Sequence, residues 1–405
     1  MDRARLLDID CEAFPIEHRG RPGLYIRNRR RLADDGIYVP REWAVVLPLF
    51  DGRNTVDEIC QQAVGIERAI VEQIARGLDS IYLLDNQRSR DRRRTVIDAF
   101  RSAKVREPIC AGGVYPDDAG ELLKQIDAMY RHPHGPGPAK SFDPRASRPR
   151  SVLTPHIDYR RGKQSFAFAF KEIAERSQAT IYVILATSHH SFHRFVLTAK
   201  DFRTPIGLVH TDADFVDLIA DVYGHAVFED EFAHQPEHSI ELTLPLLQHA
   251  LRDRPDFSIV PLLVGSFGDS VDEGRSPADF PEIARMVDAL RAAEESCEQE
   301  VCYIVSGDLA HIGPKFGDRP KVDAQKSLAC RSADERLLQQ LTTPDPGNLF
   351  SVMHADRDER RICGFPPLWV ALSAAAPRRG SVLCYDQFVD PAGSEIVSFA
   401  SMVFE

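Results

Sequence analysis

The run Ile181-Tyr-Val-Ile-Leu-Ala-Thr-Ser-His-His190 decides how this chain is read. Its first six residues are apolar, as in a buried strand, and it ends in two histidines, His189 and His190. Outward from it, strand-like runs recur at 151–154, 257–264, 301–307 and 380–386, with this one covering 180–187. Helical patterns lie between them at 165–176, 213–223, 240–251 and 281–294. Such alternation predicts an α/β fold, a largely parallel or mixed central sheet flanked by helices. In sheets of that kind ligands bind beyond the carboxyl ends of the strands.

The polar motifs fall at those ends. Thr154-Pro-His-Ile-Asp-Tyr159 follows the strand at 151–154 and places His156 just past it. Glu237-His-Ser-Ile-Glu241 opens a helix, with Glu237 and His238 in its first turn. Val301-Cys-Tyr-Ile-Val-Ser-Gly-Asp-Leu-Ala-His311 runs from a strand into Asp308 and His311. A lone histidine after a strand is ordinarily a hydrogen-bonded structural residue. Four separate elements presenting histidine in the same way point instead to a metal or catalytic site. Neutral imidazoles and carboxylates are ordinary ligands of Fe(II), Zn(II) and Cu(II), and a spare histidine can act as a general base.

The remaining features set boundaries. With 405 residues the chain is long for one core, so two domains are expected. The net charge of −11 gives no bulk attraction to nucleic acid. No apolar stretch reaches the ~18–20 residues of a membrane span, and the opening Met-Asp-Arg-Ala-Arg-Leu-Leu-Asp lacks a signal-peptide apolar core. Eight scattered cysteines without a CxxC pair suit a reducing compartment, so a cytoplasmic location is expected.

Residues 1–92 read as a small, mainly helical module with some strand. Its helical core is expected to begin at Arg41-Glu-Trp-Ala-Val-Val-Leu-Pro-Leu-Phe-Asp-Gly52. Thr55 and Glu58 have capping-box spacing, and Ile70, Val71, Ile74 and Leu78 recur at helical spacing. The arginine-rich stretch that follows predicts a linking helix over 93–105. The order of these motifs resembles small winged-helix-like peptide-recognition modules of the PqqD type.

The larger segment, 106–405, resembles the MEMO proteins, among them the form called AmmeMemoRadiSam system protein B. The motifs that carry the resemblance run in order. They are Arg106-Glu-Pro-Ile-Cys-Ala-Gly-Gly-Val-Tyr-Pro116, the His156 motif with Gly162 after it, the His189 motif and Phe202-Arg-Thr-Pro-Ile206. Then come the Glu237 motif continuing as Leu-Thr-Leu-Pro-Leu-Leu247, the strand ending Leu262-Leu-Val-Gly265, the Asp308 motif and Ile362-Cys-Gly364.

The resemblance implies a fold like that of class III extradiol dioxygenases, which hold Fe(II) with two histidines and a glutamate. It implies His156 and His189 as metal ligands and His238, beside Glu237, as the residue placed like the dioxygenase base. It implies a third ligand that can be cysteine in an Asp-Phe-Cys-His motif. This chain has Ala310 at that place, so no thiolate is expected, and Asp308 or His311 is left to fill the position. Asp158 replaces the usual glycine after the first histidine. With Tyr159, His190 and Tyr115 it is expected near the pocket. Phe192, Phe195, Phe202, Phe316, Phe365 and Trp369 are candidates for an aromatic lining.

Three functions follow. The first is non-haem Fe(II) chemistry of the dioxygenase type on a small aromatic molecule. The second is a non-catalytic protein that binds a metal or a peptide beside a radical-SAM partner. The third is a Zn(II)-dependent hydrolase. Zn(II) or copper are the alternatives to iron.

Overall fold

The structure is a computed structural model and describes residue 6, residues 11–33 and residues 35–405. Apart from Leu6, the opening eight residues, read above for a leader, lie outside that range. The chain divides into two compact units, Met1–Ala103 and Lys104–Glu405.

The first unit is richer in strand than its sequence suggests. Strands β1 (Cys11–His18), β2 (Arg21–Asn28) and β3 (Ile37–Pro40) form an antiparallel sheet in that order. Arg19 and Gly20, both at positive φ, make the two-residue turn between β1 and β2. This is the backbone hand that a tight hairpin requires. The helical core expected from residue 41 is a 3₁₀ segment, Ala44–Leu49, because Pro48 has no N–H to continue an α-helix. Helices α1 (Val56–Gln62), α2 (Arg68–Ser80) and α3 (Gln87–Ser102) follow. The Thr55–Glu58 capping box forms as its spacing predicts. Ile26, Val39, Val46, Ile59, Val71, Ile74 and Leu78 build a shared core from sheet and helices. The first unit thus joins a three-stranded sheet to helices, and the arginine-rich helix α3 closes it.

The second unit is a mixed α/β domain. Its strands are β4 (Val105–Arg106), β5 (Ser151–Thr154), β6 (Ile181–Thr187), β7 (Phe195–Leu197), β8 (Asp201–Thr204), β9 (Gly207–Thr211), β10 (Ser258–Val264), β11 (Val301–Ser306), β12 (His311–Ile312), β13 (Gly380–Val389) and β14 (Ile396–Phe404). They form one sheet in the order β12-β14-β5-β11-β6-β10-β9-β8-β4, with β13 beside β14 and β7 beside β10. The centre is parallel: β5, β11, β6 and β10 pair in one direction. The buried antiparallel strand β14, unforeseen in the sequence, closes the β5 side.

The central strands are buried on both faces, so their residues alternate between two cores. Val183 and Leu185 of β6 join one core with Phe215, Ile219, Ile283, Leu290 and Val370. These come from α7 (Ala213–Tyr223), α10 (Pro281–Ser296) and α13 (Phe365–Ala375). Tyr182, Ile184 and Ala186 join the other core with Leu122, Ile126, Phe166, Phe170, Leu246 and Leu247. Those come from α4 (Ala119–Arg131), α6 (Ser165–Arg176) and α8 (Leu244–Ala250). This two-sided burial is why the strands read as continuous apolar runs.

Candidate metal centre

Register brings the site together. Ser306 of β11 pairs with Thr154 of β5 on one side and Ala186 of β6 on the other. Three strand ends are therefore level. The chain then continues two residues to His156, two to Asp308 and three to His189. His238 arrives separately, on the loop before the 3₁₀ segment Glu241–Thr243.

The imidazoles of His156, His189 and His238 each offer a nitrogen, and these nitrogens all lie within 4.8 Å of one another. The His189 and His238 rings stack at 4.9 Å, and His156 meets both edge-on at 5.1 and 5.4 Å. Their Nδ1 atoms are already engaged. His156 Nδ1 lies 3.2 Å from the Ser306 carbonyl oxygen. His189 Nδ1 lies 3.0 Å and His238 Nδ1 3.1 Å from the same oxygen of Glu237, Oε1. In a neutral ring, donating Nδ1–H to an acceptor fixes the tautomer and leaves the lone pair on Nε2, the arrangement that metal-ligating histidines adopt.

Glu237 is fully buried and is the orienter of the cluster. It also accepts backbone N–H bonds from His189 (2.7 Å), His238 (2.9 Å) and Ser239 (3.1 Å). Burial disfavours its charge, but His189 and His238 hold its pKa well below the usual carboxylate range. Conversely, burial opposes protonation of His189, yet Glu237 carries its pKa well above the usual histidine value. Burial, with the other two imidazoles, keeps His156 neutral.

A thiol lies beside the cluster. Cys363 Sγ lies 3.3 Å from His156 Nε2 and also bonds to His189. No thiol was expected here, and this one comes from a different part of the chain than the position held by Ala310. Ala310, where the resemblance sought a cysteine, is buried in a separate small core with Val322, Cys330 and Ile396. Cys363 comes from 53 positions further on, between two backbone contacts that require glycine. A Cβ on Gly307 would sit 2.4 Å from Gly364 Cα, and one on Gly364 would sit 2.8 Å from the Asp308 carbonyl oxygen. Three left-handed residues, Arg357, Asp358 and Arg361, coil the chain toward this contact. Sequence reasoning quoted Ile362-Cys-Gly364 without assigning it a role. The signal was a glycine directly after a cysteine, at the start of a buried helix.

The other expected residues divide. Asp308 is buried beside the cluster: its Oδ1 accepts the His156 N–H at 3.0 Å and its Oδ2 lies 3.8 Å from His156 Nε2. Burial pushes its carboxyl up to about 7, against the pull of backbone N–H groups of His156 and Ile157. His311 is outside the converging trio. Its Nδ1 faces the carbonyls of Leu309 (3.1 Å) and Arg361 (3.0 Å), and burial lowers it to about 4. Asp158 caps the short helix α5 (Tyr159–Gly162) and pairs with Arg160 at 3.1 Å. His190 is half-buried and lies outside the trio.

Tyr115 and Tyr159 support the site from behind. Tyr115 donates to Glu241 and Tyr159 to the Leu242 carbonyl, which pins the segment that follows His238. Fully buried Arg106 pairs with Glu241 and donates to the carbonyls of His234 (3.1 Å) and Glu237 (2.6 Å). Of the aromatic candidates, Phe195, Phe202, Phe365 and Trp369 are core, and Phe192 is 76% exposed. Phe316 packs edge-on against His311 at 5.1 Å.

Fold and donor set together define an α/β protein with a cluster of three imidazoles, and a thiol beside it, at the carboxyl ends of parallel strands. Residues 106–403 match the family described as Memo-like protein. A MEMO1 family protein of Aquifex aeolicus is 26% identical over 373 residues, 90% of this chain and 91% of its own length. Others from Methanopyrus kandleri and Desulfurococcus amylolyticus are 28% and 31% identical, each over 74% of this chain and 98% or 99% of their own. The chain belongs to the Memo-like protein family.

Proposed function

We propose that the protein is a metal-dependent oxidoreductase, and that His156, His189 and Cys363 hold the ion with His238 beside them. The observation that carries this is the approach of Cys363 Sγ to His156 Nε2, within a set of imidazoles whose other nitrogens are tied back. Two donors on one tetrahedral ion at ~2.0–2.3 Å stand roughly 3.5 Å apart, so a 3.3 Å separation fits a shared ion. Imidazole with thiolate suits iron, zinc and copper. We favour Fe(II), and the thiol restores copper as an alternative. A bound ion would supply Lewis acidity and, as iron or copper, a path for electrons from a small aromatic substrate to O₂.

The chain's own residues supply the rest. Glu237 keeps His189 and His238 in the orientation that leaves Nε2 free. Half-buried His238, with Nδ1 held 3.1 Å from Glu237 Oε1, presents Nε2 as the atom that can take up a proton. Asp308, with its carboxyl near neutrality, can exchange a proton beside His156.

Metal content by mass spectrometry after anaerobic purification tests the reading. Near-stoichiometric iron or copper in the wild type, lost in a His156→Ala/His189→Ala variant, supports it. No metal in the wild type, even after anaerobic Fe(II) reconstitution, sinks it.

A second reading is favoured by the first unit, which has its own core and a strand, β1, that stands at the edge of its sheet among the described residues. An extended peptide can add to such an edge. In this reading the metal domain works non-catalytically beside a peptide or radical-SAM partner.

A further inference from the structure

Two buried polar groups of the second unit, the Tyr130 hydroxyl and His249 Nδ1, have no hydrogen-bond partner among the described residues. Tyr130, near the end of α4, is 3% exposed, and His249, near the end of α8, is 6% exposed. A native fold rarely leaves such groups unpaired. Their rings stand 5.2 Å apart, and both line a cavity of about 300 Å³. That is the lower end of the ~300–1,000 Å³ that ligand pockets span. None of its lining residues belongs to the imidazole cluster.

One wall of the cavity comes from the loop that leaves α4, His132-Pro-His-Gly-Pro-Gly-Pro-Ala139, and the residues after it. Gly137, at positive φ, donates its N–H to the Tyr130 carbonyl at 2.9 Å. Lys171 Nζ donates to the Pro136 carbonyl at 2.6 Å, and the Lys140 N–H donates to Glu175 Oε1 at 2.7 Å. Arg254 stacks on the Phe142 ring at 4.7 Å and donates to the Ala174 carbonyl at 3.1 Å. Lys171, Ala174 and Glu175 all lie on α6, so these contacts fasten the wall to that helix.

The chemistry of the walls selects the ligand. Asp127 Oδ1 lies 2.9 Å from His249 Nε2, and Arg252 Nη1 lies 3.1 Å from the same nitrogen. Burial lowers the His249 pKa, so the ring is neutral and carries one proton. An ionised carboxylate only accepts, so the nearer Asp127 places that proton on Nε2. Nδ1 is then a bare acceptor, and Arg252 keeps N–H groups to give. Burial raises the Tyr130 pKa, so its hydroxyl also has a hydrogen to give. Arg131, Lys140, Arg252 and Arg254 on the lining outnumber its two carboxylates, Asp127 and Asp253. A fitting ligand is an anion that also carries an O–H for Nδ1. Hydrogen phosphate is one. Sulfate has the same tetrahedral shape and no O–H at neutral pH.

We infer that this cavity binds phosphate, free or as a hydroxylated ester, through Tyr130, His249 and Arg252. The ligand O–H donates to His249 Nδ1, and the Tyr130 hydroxyl and Arg252 donate to phosphate oxygens in charge-assisted bonds. The inference is independent of the metal reading.

Calorimetric titration of the full chain with inorganic phosphate, β-glycerophosphate and sulfate tests it. Phosphate or β-glycerophosphate is expected to bind at least about tenfold tighter than sulfate, which leaves Nδ1 unpaired. The tighter of the two identifies the ligand as free phosphate or an ester. Tyr130→Phe is expected to weaken that binding roughly ten- to a hundredfold, the worth of one hydrogen bond to a charged group. Its denaturation midpoint without ligand should match the wild type, because the hydroxyl has no partner in the fold to lose. The His156→Ala/His189→Ala variant is expected to bind phosphate as tightly as the wild type, which separates this site from an ion in the imidazole cluster. Sulfate binding as tight as phosphate binding overturns the inference. So does an affinity unchanged in Tyr130→Phe, loss of binding in the double-histidine variant, or no binding of either phosphate probe.

Discussion

Cys363 Sγ and His156 Nε2 are 3.3 Å apart although 207 residues separate them in the chain. The contact joins the loop after a parallel strand to the start of α13, and it sets a thiol beside the imidazole cluster. Cobalt substitution reads it directly, because a thiolate ligand adds an intense near-ultraviolet charge-transfer band. Wild-type protein is expected to show the band and Cys363→Ser to lack it. Metal affinity should fall by more than the about 10–100-fold that loss of an outer-shell partner brings. A band that persists in Cys363→Ser removes the thiol from the ligand set.

Glu237 makes no contact that requires it to be a ligand, yet it fixes two of the three imidazoles through Oε1. Glu237→Gln keeps its shape and loses its charge. Metal affinity, measured by competition with a chromogenic chelator, should drop about 10–100-fold, with the His156, His189 and Cys363 side chains intact. An unchanged affinity would assign Glu237 a purely structural role.

The thiol depends on close backbone packing. Gly307→Ala would place a Cβ 2.4 Å from Gly364 Cα and push the Cys363 segment away from His156. Overpacking of this kind costs about 1–3 kcal/mol. The expected outcome is a lowered denaturation midpoint together with a weakened cobalt–thiolate band. Loss of stability with a full-strength band would show that the segment stays in place.

Buried Arg106–Glu241 anchors the loop that carries His238. Removing one partner of a buried pair leaves the other uncompensated, so Arg106→Ala should destabilise the second unit by about 3–5 kcal/mol in denaturant titration. Burial opposes ionisation of Glu241, but Arg106, the N–H groups of Ile109 and Cys110 and the Tyr115 hydroxyl hold its pKa below the usual value. A folded pKa below the unfolded one gives stability that is complete at neutral pH. That stability is lost as the pH falls below ~4.3 toward the folded value. Glu241→Gln should flatten this acid limb. A limb as steep as in the wild type would place the pH dependence elsewhere.

The strands that build the centre were legible because burial on both faces leaves little room for charge, and Ser165–Arg176 and Ala213–Tyr223 form as helices where their apolar spacing puts them. The β1–β2 hairpin was not, because a small exposed sheet tolerates charged residues such as Glu12, Glu17 and Arg27 that blur alternation. Strand β14 was missed beside β13, whose half-exposed pattern is weaker.

By itself the sequence determined the α/β alternation and the placing of His156, His189, Asp308 and His238 at element ends, since both follow from local hydrophobic pattern and punctuation. Only the tertiary structure decided which side chains meet. Register levels three strand ends, Glu237 turns two imidazoles inward, and two glycines let distant backbones touch so that Cys363, not Ala310, brings sulfur to the site. Proximity of that kind is a property of packed backbone geometry, and no spacing along the chain encodes it.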